Sequence, residues 1–471
     1  MAKLLKTLRS HWKKTAVGVG ALGWGVKWMH GRHRDNLLRR VACQEAQKFG
    51  SQLLPITSKA KKATVFLNPA ACKGKARNLF EKNVAPILHL AGLDVTVVKT
   101  DYEGQAKKLM ELVEVTDMIV VAGGDGTLQE VQTKIESLIK LNGNSACYNL
   151  CHQCWVRVVD SQQWFKMSKV ITGLLRREDE ATFSKIPIGF IPLGKMNSLS
   201  QALYPTSKEQ AGLILNATLA IVKGETVPLD ILEIKGDKDR PVFAVTGLRW
   251  GAYRDAAAKL SKYWYLGPLK DKACHLFSIL KNWPPTHQAS IAYLGPTERP
   301  PDQCEENLLR PSLWRRILKR LELYWATPKE VTLNPGEPEH WEEIEKAAVE
   351  VTISTLNKQA NLKRTEDSMN ICIEPDTISR RQFLTTGSEK LTDPLSCPEG
   401  SQTLQASFCK LQLPKGTEGF FSIDNEDYEA VSVDVKLLPR KLQFFCDSNK
   451  KTALMKPIQS SVKPICNTEN M

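Results

Sequence analysis

No uninterrupted apolar run in this chain reaches the length of about 20 residues that a bilayer-spanning helix needs. The nearest, residues 15–26, covers about 12 positions and stretches to about 15 only by passing Lys27. Acidic residues are missing before Asp35, and the body holds no zinc-finger spacing, RNA-binding signature or basic stripe with stacking aromatics. Those absences argue against nucleic acid as the partner of a net charge of +14. The charge is also local. Residues 1–62 carry 14 Lys/Arg against Asp35 and Glu45, a balance of +12, which leaves +2 for the other 409 residues. The 12 cysteines follow no pattern, and most, among them Cys43, Cys274, Cys372 and Cys446, lie in apolar contexts. Buried free thiols are expected there. The cluster Cys147, Cys151, His152, Cys154 has no matching second half, so no metal site is expected from it.

What is present begins with the terminus. A start rich in Arg and Lys and free of acid suits a mitochondrial presequence, and Trp28-Met-His-Gly-Arg is a poor secretory cleavage site. Trp12, Trp24 and Trp28 near the ends of the apolar run, and Gly18, Gly20, Gly23 and Gly25 within it, suit a membrane-attached helix. Residues 1–60 are therefore expected to target or anchor; spanning and lying at the interface both remain open.

From Ala63 the pattern alternates. Apolar, β-branched runs at 64–68, 95–98, 118–122 and 188–192 read as strands, with helical stripes at 76–91 and 104–113. That order predicts a parallel sheet flanked by helices over residues 61–228, with ligands bound beyond the carboxyl ends of its strands. Four loops fall on that edge: Asn68-Pro69-Ala70, Thr100, Gly123-Gly124-Asp125-Gly126-Thr127, and Gly194 to Asn197. Glycines let backbone approach a phosphate closely, and the helix start that follows supplies N–H groups. Asp125 suits Mg²⁺ or an acceptor hydroxyl. Lys73 and Lys75 stand in the loop after the first strand, within reach of phosphate or simply solvated.

After Pro228 the alternation becomes antiparallel in style. Short strands are expected at 229–234, 242–246, 289–293, 349–354, 370–373, 405–413, 420–423, 431–437 and 442–446, around a helical passage at 253–283. Residues 229–446 then form a mostly antiparallel β-sandwich, with a variable excursion at 295–345 and a tail at 447–471. The fold class is thus an α/β domain followed by a β-sandwich.

The loop Gly123–Thr127 resembles the nucleotide loop of the diacylglycerol kinase-like lipid kinases, which include sphingosine, ceramide and acylglycerol kinases. Residues 67–76, Leu-Asn-Pro-Ala-Ala-Cys-Lys-Gly-Lys-Ala, and 189–194, Gly-Phe-Ile-Pro-Leu-Gly, resemble two further motifs of that family. The resemblance covers about residues 60–131 and 170–450 and is strongest to the mitochondrial acylglycerol branch. It implies a two-domain kinase with its active site between the domains, using ATP and Mg²⁺ to phosphorylate monoacylglycerol or diacylglycerol. ATP contacts are implied at Asn68, Thr100, Gly123, Gly124, Asp125, Gly126, Thr127, Gly194 and Asn197, with Asp125 on the metal. Glu426, in Asp424-Asn425-Glu426, matches the turn whose Glu is the general base, Asp424 supporting it. Asp255, in Gly251-Ala-Tyr-Arg-Asp255-Ala256, matches the family's acceptor-lipid position. The same resemblance implies attachment to the mitochondrial inner membrane, a body facing the intermembrane space, and a carrier translocase as partner. A non-enzymatic scaffold and a ceramide or sphingosine kinase are alternatives; an NAD kinase shares the glycine loop alone.

Two departures stand out. Lys195 and Met196 replace the Thr and the second small residue of the family's Pro-x-Gly-Thr-x-Asn. And 39 residues, 132–170, separate the helix start at Leu128 from its natural continuation at Ile171. They read as an extra segment that breaks the helix bracing the phosphate loop.

Overall fold

A computed structural model of the protein describes residues 12–52, 60–69, 71–99, 116–123, 171–172, 174–176, 184–194, 198–207, 209–236, 241–281, 283, 286–299, 341–359, 364–414 and 419–454. The chain opens on α1 (Trp12–Gly50), a single helix of 39 residues. From Val17 to His30 it is largely open to solvent, with Val17, Leu22 and Trp24 each about 72% exposed. Its second half belongs to the body: Ala42 and Ala46 pack on Ile87 and Leu215, Lys223 pairs with Glu45 at 2.9 Å, and Arg39 donates to Asn83. The exposed N-terminal segment and the part packed on the body thus belong to one continuous helix. No helix among the described residues is long and apolar enough to cross a membrane.

β1 (Lys62–Leu67), α2 (Ala71–Gly74), α3 (Ala76–Asn83), α4 (Ala85–Leu90), β2 (Asp94–Lys99), β3 (Met118–Gly123) and β4 (Ile188–Pro192) follow. The strands pair in parallel, in the order β2-β1-β3-β4. β3 and β4 are buried along their whole length, as wholly apolar runs covered on both faces must be. The single helix expected at 76–91 is two, broken at Val84. Pro86 lacks the N–H a continuous helix would need and sits instead in the first turn of α4. The helix expected at 104–113 and the segment 132–170 lie outside the described residues.

Next come α5 (Ser198–Leu203), α6 (Gln210–Lys223), β5 (Thr226–Lys235), β6 (Val242–Ala244), β7 (Gly247–Gly251), α7 (Ala252–Ala258), a 3₁₀ stretch (Leu260–Leu269), α8 (Lys270–Lys281), β8 (His287–Leu294) and β9 (Thr297–Glu298). The chain continues through β10 (Glu342–Ser354), β11 (Glu366–Asp367), β12 (Met369–Pro375), α9 (Arg380–Lys390), β13 (Gln402–Ala406), β14 (Phe408–Gln412), β15 (Phe420–Ile423), β16 (Glu426–Glu429), β17 (Val433–Phe445) and α10 (Ser448–Leu454). The later strands are antiparallel, apart from the meeting of β17 with β4. β10 shifts register between Ala348 and Glu350, pairing with β8 before the shift and with β7 after it. That bend wraps the strands around a core of Trp250, Ile291, Ile353, Ile371, Cys409 and Val435.

Several boundaries differ from expectation. The strand expected at 405–413 divides at Ser407, whose N–H bonds Leu294, so that β13 pairs with β12 and β14 with β8. Strands expected separately at 431–437 and 442–446 are one, β17, bent by a register shift against β5 at Leu438–Leu442. The excursion at 295–345 gives its last residues to β10, and the tail from 447 begins with α10, tied to the body by Lys451 and Glu225 at 2.6 Å. Cys372, expected as a free thiol, is bonded to Cys397. The pairing joins β12 to the segment beyond α9, whose Cα atoms the fold brings to 6.1 Å. Cys274, Cys409 and Cys446 are buried free thiols, with burial pushing Cys409 up to about 12.

β5 and β17 pair along nine positions and serve two cores. Val227, Leu229, Ile231, Leu442 and Phe444 pack with Val121 and Phe190 of the parallel sheet. Further along, Leu232, Ile234, Val433 and Val435 pack in the antiparallel core.

Candidate active site

The carboxyl edge of the parallel sheet is assembled by backbone. Gly123 pairs with Pro192, and its carbonyl accepts the Leu193 N–H at 2.7 Å. The Asn68 N–H donates to Ala122 at 3.2 Å, and the residue is buried. Asn68, Gly123 and Gly194 thus end three neighbouring strands side by side. Gln210, at the start of α6, stitches two of these loops: its Nε2 donates to the Leu193 carbonyl at 2.8 Å and meets the Cys72 Sγ at 3.5 Å. Nothing in the local sequence marks Gln210, because its partners lie far away along the chain. Thr100, Asn197 and the loop Gly124–Thr127 with Asp125 lie outside the described residues, as does the Lys73 side chain.

The second group of residues forms around a hairpin turn. Asp424 and Asn425 have φ of 47° and 65°, the double left-handed geometry of a tight β-hairpin, which Asp and Asn tolerate better than most residues. The Asp424 carboxylate accepts the N–H groups of Val245 and Thr246 at 2.8 Å and of Gly247 at 3.1 Å, and the Thr246 hydroxyl at 2.5 Å. Asp424 is therefore a clamp between the turn and the β6–β7 connection. Val245 in turn packs with Val121 and Phe190, so the turn is fastened to the core beneath the end of β3.

Glu426 opens β16, paired with Ile423 and only 5% exposed. Tyr428, two residues on and so on the same face, donates its hydroxyl to Glu426 Oε2 at 2.8 Å. Burial, and then Glu426, push the Tyr428 hydroxyl far up, while the Arg176 guanidinium nearby pulls it down. Arg176 itself donates to the Pro241 carbonyl. The Glu426 carboxylate is thus buried and held by the Tyr428 hydroxyl.

Asp255 lies in the first turn of α7 with its side chain 37% exposed. The buried Arg254 donates to it at 2.9 Å and reaches Asp427 at 2.7 Å with its other terminal nitrogen. One guanidinium therefore links Asp255 to the strand that starts with Glu426. Arg254 is the residue that sequence reasoning passed over; the dipeptide Arg254-Asp255 was its only signal.

Behind α7 sits a buried ionic cluster. Lys390 Nζ is 3.0 Å from Glu350 Oε1 and also contacts Glu374, and Arg249 lies 3.6 Å from Glu350. Glu350 Oε2 accepts the Arg254 N–H at 2.8 Å. Burial pushes Glu374 up to about 7 against the pull of Lys390. Burial opposes ionisation of Glu350 as well, but Arg249 and Lys390 outweigh it and hold that carboxyl low. His275 is pushed down by burial, and Gly387 passes it so closely that a Cβ would lie 2.3 Å from the ring.

Comparison with known proteins gives a consistent picture. The diacylglycerol kinase catalytic domain matches residues 62–146 and 166–234, and the acylglycerol kinase C-terminal domain matches residues 245–459. The chain is 58% identical to the mitochondrial acylglycerol kinase of Mus musculus, over 97% of this chain and 99% of that one. It is 59% identical to its Xenopus laevis counterpart, over 97% of each. Among solved structures, a diacylglycerol kinase from Bacillus anthracis aligns over 83% of this chain and 99% of its own, at 16% identity and a TM-score of 0.46.

Proposed function

The chain belongs to the acylglycerol kinases, and from that membership we propose how its residues divide the work of an ATP-dependent lipid kinase. The protein is mitochondrial, ATP is its co-substrate, and its acceptors are lipids. The acceptors proposed here are monoacylglycerol and diacylglycerol, giving lysophosphatidic and phosphatidic acid.

The observation that carries the reading is the Asp424 clamp with the Arg254 link, because together they hold Glu426 and Asp255 in fixed relation. Glu426 accepts the proton of the lipid hydroxyl, and Asp255 orients that hydroxyl. Phosphoryl transfer asks the protein for position and charge more than for covalent help. The edge at Asn68, Gly123 and Gly194 suits a triphosphate: it carries an amide side chain and glycine backbone that a phosphate can approach closely. Asn68, Thr100, Gly123 to Thr127, Gly194 and Asn197 would hold ATP there. Asp125 would hold Mg²⁺, which supplies neutralisation of charge on the transferred group.

The catalytic body is assigned to residues 61–228 and the lipid-binding part to 229–446. Attachment to the inner membrane is assigned to residues 1–60, and the exposed stretch of α1 from Val17 to His30 supports it. The disulfide supports a body in an oxidising compartment, in keeping with the intermembrane space. The catalytic-domain match pauses between 146 and 166, which supports an inserted segment within 132–170. That insertion also keeps a second reading in view, a scaffold for a carrier translocase that needs no turnover. Asp125→Asn separates the two, abolishing phosphorylation while leaving a scaffold intact. For the kinase reading the decisive variant is Glu426→Gln, expected to lower kcat by about 10²–10⁴-fold with ATP binding unchanged; unchanged kcat would remove Glu426 from the chemistry.

A further inference from the structure

α8 is apolar on two sides. Cys274, His275 and Ile279 turn inward, where Ile279 packs with Tyr253 and Phe383 and the His275 ring lies against both aromatics. On the outer side Leu276, Phe277 and Leu280 are 45%, 40% and 71% exposed, and the preceding 3₁₀ stretch adds Tyr265 and Leu269 at 63% and 66%. An outward cluster of exposed apolar side chains of this kind marks an interaction surface. The charge along this stretch is mostly basic. Residues 257–281 contain Lys259, Lys262, Lys270, Lys272 and Lys281 against the single acid Asp271.

The position of the cluster narrows the partner. α7, which carries Asp255, packs directly against α8 and the 3₁₀ stretch. On its other flank α7 meets β15, where Phe420 is 51% exposed beneath the Arg254 guanidinium at 5.3 Å. Exposed apolar side chains therefore lie on both sides of the proposed acceptor residue. We propose that residues 260–281 form a membrane contact separate from the N-terminal helix, seating on an anionic phospholipid bilayer and presenting Asp255 to lipid in that leaflet. The apolar side chains enter the acyl boundary, while the lysines meet lipid phosphates. This rests on the lipid-kinase reading, since an acceptor dissolved in a bilayer must reach Asp255 without crossing water.

The test uses the full-length protein. Hydrogen exchange across 260–281 is measured with vesicles of phosphatidylcholine alone and of phosphatidylcholine mixed with phosphatidylglycerol. Slowed exchange with the anionic vesicles is expected, and unchanged exchange overturns the proposal whether or not the enzyme turns over. In parallel, a triple variant, Leu269→Gln, Leu276→Gln and Leu280→Gln, is assayed on acylglycerol in vesicles and on a short-chain acylglycerol dispersed as monomers. The proposal expects a loss of about tenfold or more on vesicles, an unchanged rate on the dispersed substrate and an unchanged melting curve. Equal loss on both substrates would assign these residues to acyl binding or to the fold, and a wild-type dimer that the variant converts to monomer would make a second copy the occupant; either result overturns it. Absence of turnover by the wild-type chain on both substrates would defeat the kinase reading, while the exchange measurement would still decide the membrane contact.

Discussion

Replacing Lys390 by Met removes one cation from a site that water does not reach. Lys390 is 2% exposed, and the carboxylates it faces, Glu350 and Glu374, are each 1% exposed. Met fills nearly the same volume, so the packing loss is small and the electrostatic loss dominates. Breaking a buried pair by deleting one partner costs about 3–5 kcal/mol, because the remaining charge has no solvent to turn to. For a domain of this size that corresponds to a fall in Tm of about 6–20 °C, readable by calorimetry or circular dichroism. The pH dependence identifies the cause. In the wild type the folded Glu374 carboxyl is raised from 4.5 to about 7 by burial, so its contribution is fully present below about 4.5 and is lost as pH rises through 7. Without Lys390 both carboxyls are pushed up, and the deficit should be largest above pH 7 and shrink toward pH 5 as each takes up a proton. Adding Glu350→Gln and Glu374→Gln to Lys390→Met should restore most of the lost stability. A deficit that ignores pH, or a Tm change below about 2 °C, would refute the electrostatic account.

Other expectations follow from the same contacts. Asp424→Asn withdraws a charged acceptor from three amides and a hydroxyl, and should cost about 2–3 kcal/mol in urea unfolding together with a fall in kcat as Glu426 loses its register. Arg254→Lys cannot reach Asp255 and Asp427 together, so the KM for lipid should rise while that for ATP stays constant. Asn357→Leu leaves the Asp230 N–H and the carbonyls of Asp230 and Val245 without their bonds of 2.8–3.0 Å, and should destabilise by about 2–4 kcal/mol. Reducing the Cys372–Cys397 bond opens a loop with a sequence separation of 25, with an expected loss of about 3 kcal/mol seen as a lower denaturant midpoint in dithiothreitol. Deleting residues 132–170 should raise both kinase activity and Tm; no gain in either would remove the inserted segment as a cause of weakness.

β1, β3 and β4 of the parallel sheet were legible because burial on both faces makes each a nearly continuous apolar run, and the loops after β3 and β4 are conspicuous for glycine. The left-handed geometry of Asn425 could also be read locally, since few residue types tolerate it. Asp424 could not be read in full: its sequence neighbours suggest a charged turn, yet its partners lie some 178 positions away. Lys390 looks like an ordinary lysine closing a helix, where a favourable dipole contact is expected; only tertiary packing against Glu350 and Glu374 makes it interior. The same holds for Cys372, whose partner depends on where α9 leaves the next segment. Pro86 differs in kind, because its effect on the helix at 76–91 was local and available from the residues themselves.

The strand pair β5–β17 has a consequence for synthesis on the ribosome. Leu442, Phe444 and Cys446 complete the core that Val121 and Phe190 begin, so the first half of the protein lacks an inner wall until the last strand has been made. Domains commonly fold in order as they emerge, but here the early half must wait for a strand that ends at residue 445. A chain stopped before Val433 would lose that wall as well as its own missing part, and neither half should be recoverable as a folded fragment. Exposed during the wait, β4 offers an apolar edge to other chains, which makes the interval before β17 emerges the period of greatest aggregation risk for this protein.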